Sequence, residues 1–182
     1  MGGQANLNLL YHLTSSSNAS AVIETGVAYG WSSLAILLAL NGKNDARLIS
    51  TNLHYREYED DRFVGCAVPD RLRNAWTIIH EPDNTGAAKA IAAFPDGVDL
   101  CHYDSDKSYT GRLATYPLLW QALKIGGLLI SDDIQDNLAF AHFARLASSQ
   151  PIITDAATTQ SGTKYVGILR KNHDEPLRSI MF

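Results

Sequence analysis

The sequence of 182 residues predicts an α/β fold in which helices cover both faces of a mostly parallel sheet with a reversed C-terminal strand. Three observations predict it. Short apolar runs suited to buried strands alternate with segments whose apolar residues recur at helical spacing. A glycine-containing turn joins the first apolar run, 21–23, to the helical pattern of 31–40. The last two apolar runs, 152–156 and 164–169, lie too close together for a crossover helix, which favours an antiparallel hairpin.

The first half of the chain predicts three helices and three strands. Leucines on one face of 7–13 indicate an amphipathic helix that covers the fold or an oligomer contact and ends in the polar run 15–18. The tyrosine-rich and charged segment 52–68 is interpreted as a loop or short helix, either a solvated charged loop, which is favoured, or part of the ligand mouth. The other elements follow in order: a strand at 21–23, a helix at 31–40 that ends near Gly42, a strand at 47–51, a short helix at 69–75 and a strand at 76–80.

The second half predicts four further strands, so the sheet has seven. Pro117 either starts the regular part of a helix that includes 113–123 or kinks it. The other elements are a helix at 85–94, a strand at 98–103 that ends in Asp104, a strand at 128–131 that runs into Asp132 and Asp133, a helix at 137–147 and the final hairpin.

Length and composition predict one globular domain over residues 1–182. Hydrophobic residues make up 46 % of the chain and charged residues 19 %, a balance typical of folded proteins, and no repeat of fixed period is present. The length suffices for one well-buried core and is short for two. We expect an N-terminal helical region at 1–20, a core at 21–170 and a C-terminal tail at 171–182.

The charge pattern favours a small-molecule partner. The formal net charge is −4 and lysine and arginine do not cluster, whereas nucleic-acid binding draws on concentrated positive charge. The apolar stretches are too short to span a bilayer and the N-terminus shows no targeting pattern, so no membrane partner is expected. Cys66 and Cys101 lie far apart without metal-ligand spacing, and two free thiols fit a cytoplasmic location. A homo-oligomer is left open.

The turn after the first strand carries the first sign of a ligand. Gly26 and Gly30 can adopt positive φ and let a small molecule lie against the backbone, while Ser32 or Ser33 can cap the following helix. A dinucleotide loop needs G-x-G-x-x-G, and the spacing here does not supply it. The observed spacing is acidic, glycine, small, glycine at Glu24, Gly26, Ala28 and Gly30.

Acidic residues follow several of the predicted strands. In an open α/β sheet, ligands bind outside the carboxyl ends of the strands. A group of carboxylates on one edge is costly without a cation, so a metal, a positively charged ligand or a raised pKa is implied. The residues at these ends are Glu24, Asn52, Asp83, Asp104, Asp132 and Asp133.

Four segments in this order resemble the SAM-dependent methyltransferases that include the macrocin-type O-methyltransferases. The resemblance runs from about Val22 to Phe143. It implies a Rossmann-like class I methyltransferase fold and methyl transfer from S-adenosyl-L-methionine (SAM) to a small hydroxylated acceptor. The segments are ETGVAYGWSS at 24–33, AVPDRLRNAW at 67–76, DSDKSY at 104–109 and KIGGLLISDD at 124–133.

The resemblance also implies how the cofactor is held. SAM would lie along Gly26, Ala28 and Gly30, with Glu24 near its amino group and the amides of Ser32 or Ser33 near its carboxylate. Two further residues complete the set. Asn52 stands where the family usually has an acid that binds the ribose, and Asp83 is a candidate for the adenine amino group. The segment Tyr55 to Gly65 is expected to shape the acceptor pocket.

Asp104, Asp132 and Asp133 correspond to positions that hold Mg²⁺ in similar enzymes, where the ion binds and acidifies the acceptor hydroxyl. The alternative is a solvated turn and a capped helix start. Lys107 departs from the macrocin-type histidine and is similar to the lysine of catechol-type enzymes. It is either a general base or a salt-bridge partner of Asp104 or Asp106. His102 and Tyr109 are interpreted as packing or hydrogen-bonding residues.

Two other functions compete with this interpretation. A SAM-binding or oligomerisation domain that has lost catalysis is suggested by Asn52 and Lys107, which depart from the macrocin-type pattern. An NAD-dependent oxidoreductase shares the sheet but lacks its glycine pattern and a hydride-transfer motif. We therefore expect a methyltransferase.

Overall fold

The computed structural model describes residues 6–53, 61–159, 162–174 and 177. It contains the seven predicted strands and the predicted helices between them. The helices are α1 Leu7–Ser16, α2 Trp31–Leu40, α3 Asp70–Arg73, α4 Asp83–Ala92, α5 Tyr109–Ala122 and α6 Ala139–Leu146. The strands are β1 Ala21–Thr25, β2 Arg47–Thr51, β3 Trp76–Ile79, β4 Val98–Tyr103, β5 Leu123–Ser131, β6 Ile152–Thr159 and β7 Gly162–Arg170.

The strands form one sheet in the order β3-β2-β1-β4-β5-β7-β6. The first five strands pair in parallel, and β7 lies antiparallel to both β5 and β6. Thr159 pairs with Gly162, so the hairpin is too tight for a crossover and the last strand must reverse. The predicted fold class, with its reversed C-terminal strand, is confirmed.

Two hydrophobic cores lie on opposite faces of the sheet. Residues of α1, α2 and α3 pack on one face, and residues of α4, α5 and α6 pack on the other. The two faces of β1 illustrate this, because Val22 belongs to the first core and Ile23 to the second. Burial on both faces explains why the strands read as continuous apolar runs.

Some element boundaries differ from the prediction. Strand β5 begins at Leu123, not at Leu128, because a register shift against β4 and the positive φ of Gly126 interrupt its apolar pattern. Helix α4 begins at Asp83, two residues earlier than predicted. Pro117 lies inside α5 and does not start it. None of the described helices combines the length and the apolar character that crossing a bilayer requires.

The register of the parallel strands brings their ends to one edge. Thr25 pairs with Thr51 and with Tyr103, and Tyr103 pairs with Ser131. The residues that follow these strand ends therefore lie side by side. They are Gly26, Asn52, Asp104 and Asp132.

A candidate active site at the carboxyl edge of the sheet

A cavity of about 850 Å³ opens at this edge, within the range of about 300–1,000 Å³ typical of small-molecule sites. It brings together most of the residues that the sequence singled out. Those that line it are Gly26, Ala28, Asn52, Asp83, Asp104, Lys107, Asp132 and Asp133. Glu24, Gly30, Ser32 and Ser33 are not among the lining residues. Part of the segment Tyr55 to Gly65 lies outside the described residues, which omit 54–60.

The glycines of the loop after β1 allow close contact with neighbouring backbone. Gly26 has φ +84°, and a Cβ there would lie 2.3 Å from the carbonyl oxygen of Asp104. Gly30 has φ +86°, and a Cβ there would lie 2.7 Å from the Cα of Gly65. We expected these glycines to let a ligand lie close to the backbone. Neighbouring protein backbone lies there instead, and at Gly26 this packs the loop directly against the segment after β4.

Asn52 holds the same loop through its amide. Its Oδ1 accepts hydrogen bonds from the backbone N–H of Val27 at 3.0 Å and of Ala28 at 3.3 Å. Its Nδ2 donates to the carbonyl oxygen of Leu53 at 2.6 Å. A carboxylate could not make this donation, so asparagine fits this position for a structural reason.

Glu24 lies beneath the loop and is fully buried. Its carboxylate accepts hydrogen bonds from the hydroxyls of Ser33 at 2.5 Å and Ser50 at 2.8 Å. The Nδ1 of His102 lies 3.4 Å from its other oxygen. These contacts connect β1, α2, β2 and β4, so Glu24 and Ser33 support the loop from inside the protein.

Asp83 fixes the segment that follows β4. It stands at the start of α4, and one carboxylate oxygen accepts hydrogen bonds from the Ser105 hydroxyl at 2.5 Å and from the Asp106 N–H at 3.3 Å. The Tyr103 hydroxyl lies 3.4 Å from the same oxygen. Asp83 therefore reaches the cavity while bracing its floor.

A group of possible metal ligands lies at the cavity, where Asp104 and Asp132 line the wall and the buried His102 is beside them. His102, Asp104 and Asp132 each offer one donor atom, and these atoms lie within 4.8 Å of one another. Burial raises the pKa of Asp104, and the charge of Asp132 adds to this effect against the opposing charge of Lys107. Burial by itself would lower the pKa of His102, but Asp132 and Glu24 outweigh it and raise that pKa to about 10.

Asp133 faces two lysines instead. The Nζ of Lys107 lies 3.2 Å from one carboxylate oxygen of Asp133, and the Nζ of Lys164 lies 2.9 Å from the other. Lys107 also contacts Asp104 directly. Burial opposes ionisation of Lys107, yet the two carboxylates hold its pKa above the usual value. The two lysines conversely hold the pKa of Asp133 below its usual value despite its burial. The ion pair predicted for Lys107 is present, with Asp104 as the partner, and its role as a base stays a prediction.

Arg112 is a site-supporting residue that the sequence analysis missed. Its side chain is fully buried, and Nη2 donates to the backbone carbonyls of Asp132 at 3.2 Å and Asp133 at 2.9 Å. This holds Asp133 at φ +53°, in the left-handed region. A signal existed in the sequence, because Arg112 precedes Tyr116 by four residues on the apolar face of α5.

The residues fit both implied ligands. Among the described residues, the Nε2 of His102 has no hydrogen-bond partner although it is buried beside two carboxylates. A donor atom left over in such a place suits a divalent cation. The cavity also offers polar groups of both signs and enough volume for a nucleoside-sized cofactor.

The chain is similar to several solved structures. Cofactor-bound Rv0187 from MTB has a TM-score of 0.74 and 13 % identity, with 94 % of this chain and 82 % of that chain covered. An O-methyltransferase from Bacillus cereus in complex with SAH has a TM-score of 0.69, 13 % identity and coverage of 94 % and 83 %. TomG from Streptomyces achromogenes, an O-methyltransferase involved in tomaymycin synthesis and solved with SAM, has a TM-score of 0.65, 14 % identity and coverage of 90 % and 78 %. These likenesses confirm the Rossmann-like methyltransferase fold.

No curated protein matches the sequence. A protein family described as "Methyltransferase domain" matches residues 23–134, from the middle of β1 to the turn after β5. The matched segment contains the glycine loop and all five aspartates that line the cavity. Since it covers more than half of the chain, the protein belongs to this methyltransferase domain family.

Proposed function

We propose that the protein is a class I SAM-dependent methyltransferase that methylates a hydroxyl oxygen of a small acceptor with the assistance of a divalent cation. One observation carries the proposal: a single cavity has two chemically different walls. The loop at 26–28, Asn52 and Asp83 form one wall, and an acidic cluster with two lysines forms the other. Family membership supports methyl transfer, and the SAM and SAH complexes of similar structures support the cofactor.

The first wall is assigned to the cofactor. SAM bound there would supply a methyl group on a sulfonium, and transfer of that methyl to an acceptor oxygen would break the C–S bond and leave S-adenosylhomocysteine. Gly26 and Ala28 present backbone to the cavity, and Asp83 presents a carboxylate at its rim. Asn52 keeps the loop in shape through two loop amides. In this proposal Glu24, Gly30, Ser32 and Ser33 shape the loop from behind it.

The second wall is assigned to the acceptor. Asp104 and Asp132 supply carboxylate oxygens for a cation, which acts as a Lewis acid for the acceptor hydroxyl. The ammonium of Lys107 forms ion pairs with both Asp104 and Asp133 and offsets part of their negative charge. Ala156 and Lys164 from the hairpin close this side. The predicted Mg²⁺ set of Asp104, Asp132 and Asp133 is thereby divided, because Asp133 is held by lysines.

Direct binding and turnover test the proposal. Isothermal titration calorimetry with S-adenosylhomocysteine should show one site per chain, and labelled SAM should transfer its methyl group to some members of a hydroxylated small-molecule library. Asp132→Asn should reduce turnover at least tenfold, while the exposed Asp70→Asn should not change it. Absence of S-adenosylhomocysteine binding would refute the proposal.

Lys107 can be tested by paired substitutions. If it is a general base, Lys107→Arg and Lys107→Met should both lower turnover by about 10²-fold or more, because neither side chain can accept a proton at neutral pH. If its role is the ion pair, Lys107→Arg should keep most of the activity and Lys107→Met should not. The kcat of Lys107→Arg therefore distinguishes a general base from an ion-pair partner, and KM measured alongside shows whether acceptor binding has changed.

A second candidate is a SAM-binding domain without catalysis. The observation that favours it is the ammonium of Lys107, which lies between the carboxylates of Asp104 and Asp133. Binding of S-adenosylhomocysteine with no methylation across acceptors and metals would support this candidate over the first.

A further inference from the structure

His102 is a fully buried histidine that is not among the residues lining the cavity, and the proposed function gives its ring no role. It lies in β4, two residues before Asp104. Within the described part of the chain its Nε2 makes no hydrogen bond, and the nearest carboxylate oxygen, of Asp132, is 3.8 Å away. A buried polar atom without a partner costs about 1–3 kcal/mol, so this nitrogen needs an explanation.

The surrounding donor atoms have the spacing of a cation site. The Nε2 of His102 and one oxygen each of Asp104 and Asp132 lie within 4.8 Å of one another. A transition metal lies about 2.0–2.2 Å from such ligands, which separates opposite ligand atoms by about 4 Å. Small rotations of the two carboxylates would therefore complete a three-ligand site.

The other ring nitrogen of His102 has the partner that metal-binding histidines usually have. Its Nδ1 lies 3.4 Å from the buried carboxylate of Glu24, which the hydroxyls of Ser33 and Ser50 hold in place. Metal-binding histidines commonly donate their second N–H to a carboxylate, which orients the ring and leaves the first nitrogen free to bind the metal. Glu24 would have this supporting role.

Asp133 is poorly available as the third ligand. Each of its carboxylate oxygens faces a lysine, one Lys107 and the other Lys164. To bind a cation it would have to release both lysines. The Nε2 of His102, by contrast, has no hydrogen bond among the described residues that would have to be released.

We propose that His102, Asp104 and Asp132 form a site for a divalent transition metal such as Mn²⁺, Co²⁺ or Zn²⁺, with Asp133 outside the ligand set. Imidazole nitrogen suits these metals, whereas Mg²⁺ prefers ligands that are all oxygen. Carboxylates outnumber lysines around the site, since Glu24, Asp104, Asp132 and Asp133 stand against Lys107 and Lys164. The inference shares its cavity with the proposed function, but metal binding is measured without methyl transfer.

The test is direct metal binding to the full chain after treatment with a chelator. Calorimetry should show one site for Co²⁺ or Mn²⁺ at least tenfold tighter than for Mg²⁺. His102→Gln should weaken Co²⁺ binding at least tenfold, while Asp133→Asn should leave it within about twofold. Thermal melting without metal checks that each variant is folded. Binding of S-adenosylhomocysteine without metal is measured separately, so loss of the metal site can be told apart from failure of the proposed methyltransferase function.

A spectroscopic measurement covers the case in which His102→Gln does not fold. Pulsed electron paramagnetic resonance of Mn²⁺ bound to the unmodified protein should show coupling to a single histidine nitrogen. Mg²⁺ binding as tight as Co²⁺ binding, absence of nitrogen coupling, or loss of binding in Asp133→Asn but not in His102→Gln would each overturn the inference. In any of these cases His102 acts as a buried cation between Glu24 and Asp132 and not as a ligand.

Discussion

Strand β4 has an aspartate near each of its ends, and the two carboxylates are in opposite situations. Asp99, near the amino end, accepts hydrogen bonds from the N–H groups of Ser20 and Ala21, both at 2.9 Å, and from Lys124 at 2.8 Å. Burial opposes these contacts, but together they hold the pKa of Asp99 below its usual value. Asp104, just past the carboxyl end, has a pKa raised by burial.

The difference comes from the backbone at the two edges. At the amino edge, the residues that lead into β1 still have N–H groups to donate to Asp99. At the carboxyl edge, the N–H groups are already bonded to neighbouring strands: Gly26 to Thr51, Asp104 to Thr25 and Asp132 to Tyr103. Carboxylates there must find side-chain cations or bound ions instead. The same residue type is thus held by backbone hydrogen bonds at one edge and has a raised pKa among charged side chains at the other.

The largest expected effect is that of alanine at the loop glycine. Gly26→Ala combines positive φ with a Cβ placed 2.3 Å from the Asp104 carbonyl oxygen, and should lower the free energy of unfolding by about 2–5 kcal/mol. Gly42→Ala is the matched control, since Gly42 has φ +83° and open space around its Cβ position. It should cost about 1 kcal/mol. Urea denaturation measures both, and equal losses would contradict the role of the contact with Asp104.

The next effect is expected at Asp99. Asp99→Asn should lower the free energy of unfolding by about 1–3 kcal/mol at pH 7, because charge-assisted hydrogen bonds to Ser20, Ala21 and Lys124 are weakened. S-adenosylhomocysteine binding should stay unchanged. A loss of binding without loss of stability would contradict a structural role for this residue.

The pH dependence of the folding stability should report the ionisation of Asp99. The folded-state pKa of Asp99 is lowered, so its contribution is present above the unfolded value of about 3.9 and is lost as the pH falls through the folded value. Thermal melting between pH 7 and pH 3 should therefore show a steeper acid loss in the unmodified protein than in Asp99→Asn. Parallel curves would contradict this assignment.

Asp104→Asn should behave in the opposite way to Asp99→Asn. The substitution removes a buried charge and its repulsion by Asp132, and the loss of the ion pair with Lys107 offsets part of that gain. The free energy of unfolding should therefore change by less than about 1 kcal/mol or increase. Divalent metal binding should fall at least tenfold. Calorimetry and denaturation on the same sample check the two parts.

The smallest stability effects are expected for the lysine at each edge. Lys124→Met and Lys164→Met each remove a partly exposed ion pair and should cost about 0–1 kcal/mol. Only Lys164→Met should change acceptor KM, because Lys164 lines the cavity and pairs with Asp133. Equal KM values for both variants would remove Lys164 from the acceptor side.

Many of the residues at the carboxyl edge of the sheet could be predicted, because the end of a strand is a local feature of the sequence. The expected positions of Asn52, Asp104 and Asp132 follow from counting parallel strands, and all three line the cavity. The start of β5 was wrong because a bulge disrupts the alternation on which strand prediction depends. The contact of Glu24 with His102 could not be predicted, since the two residues are 78 positions apart in the sequence.

The sequence by itself determined the order of elements, the parallel sheet with its reversed last strand, the family, and which residues meet at the carboxyl edge. Apolar periodicity and connection length are local properties, and they suffice for the elements, the sheet and the residues at its edge. The family followed instead from the resemblance of four sequence segments. Only the tertiary structure decided which partner each charged side chain has: Asp133 with two lysines, His102 with Glu24, and Arg112 with two backbone carbonyls. Such pairing depends on contacts between distant strands and helices, and burial determines how strongly each pair acts.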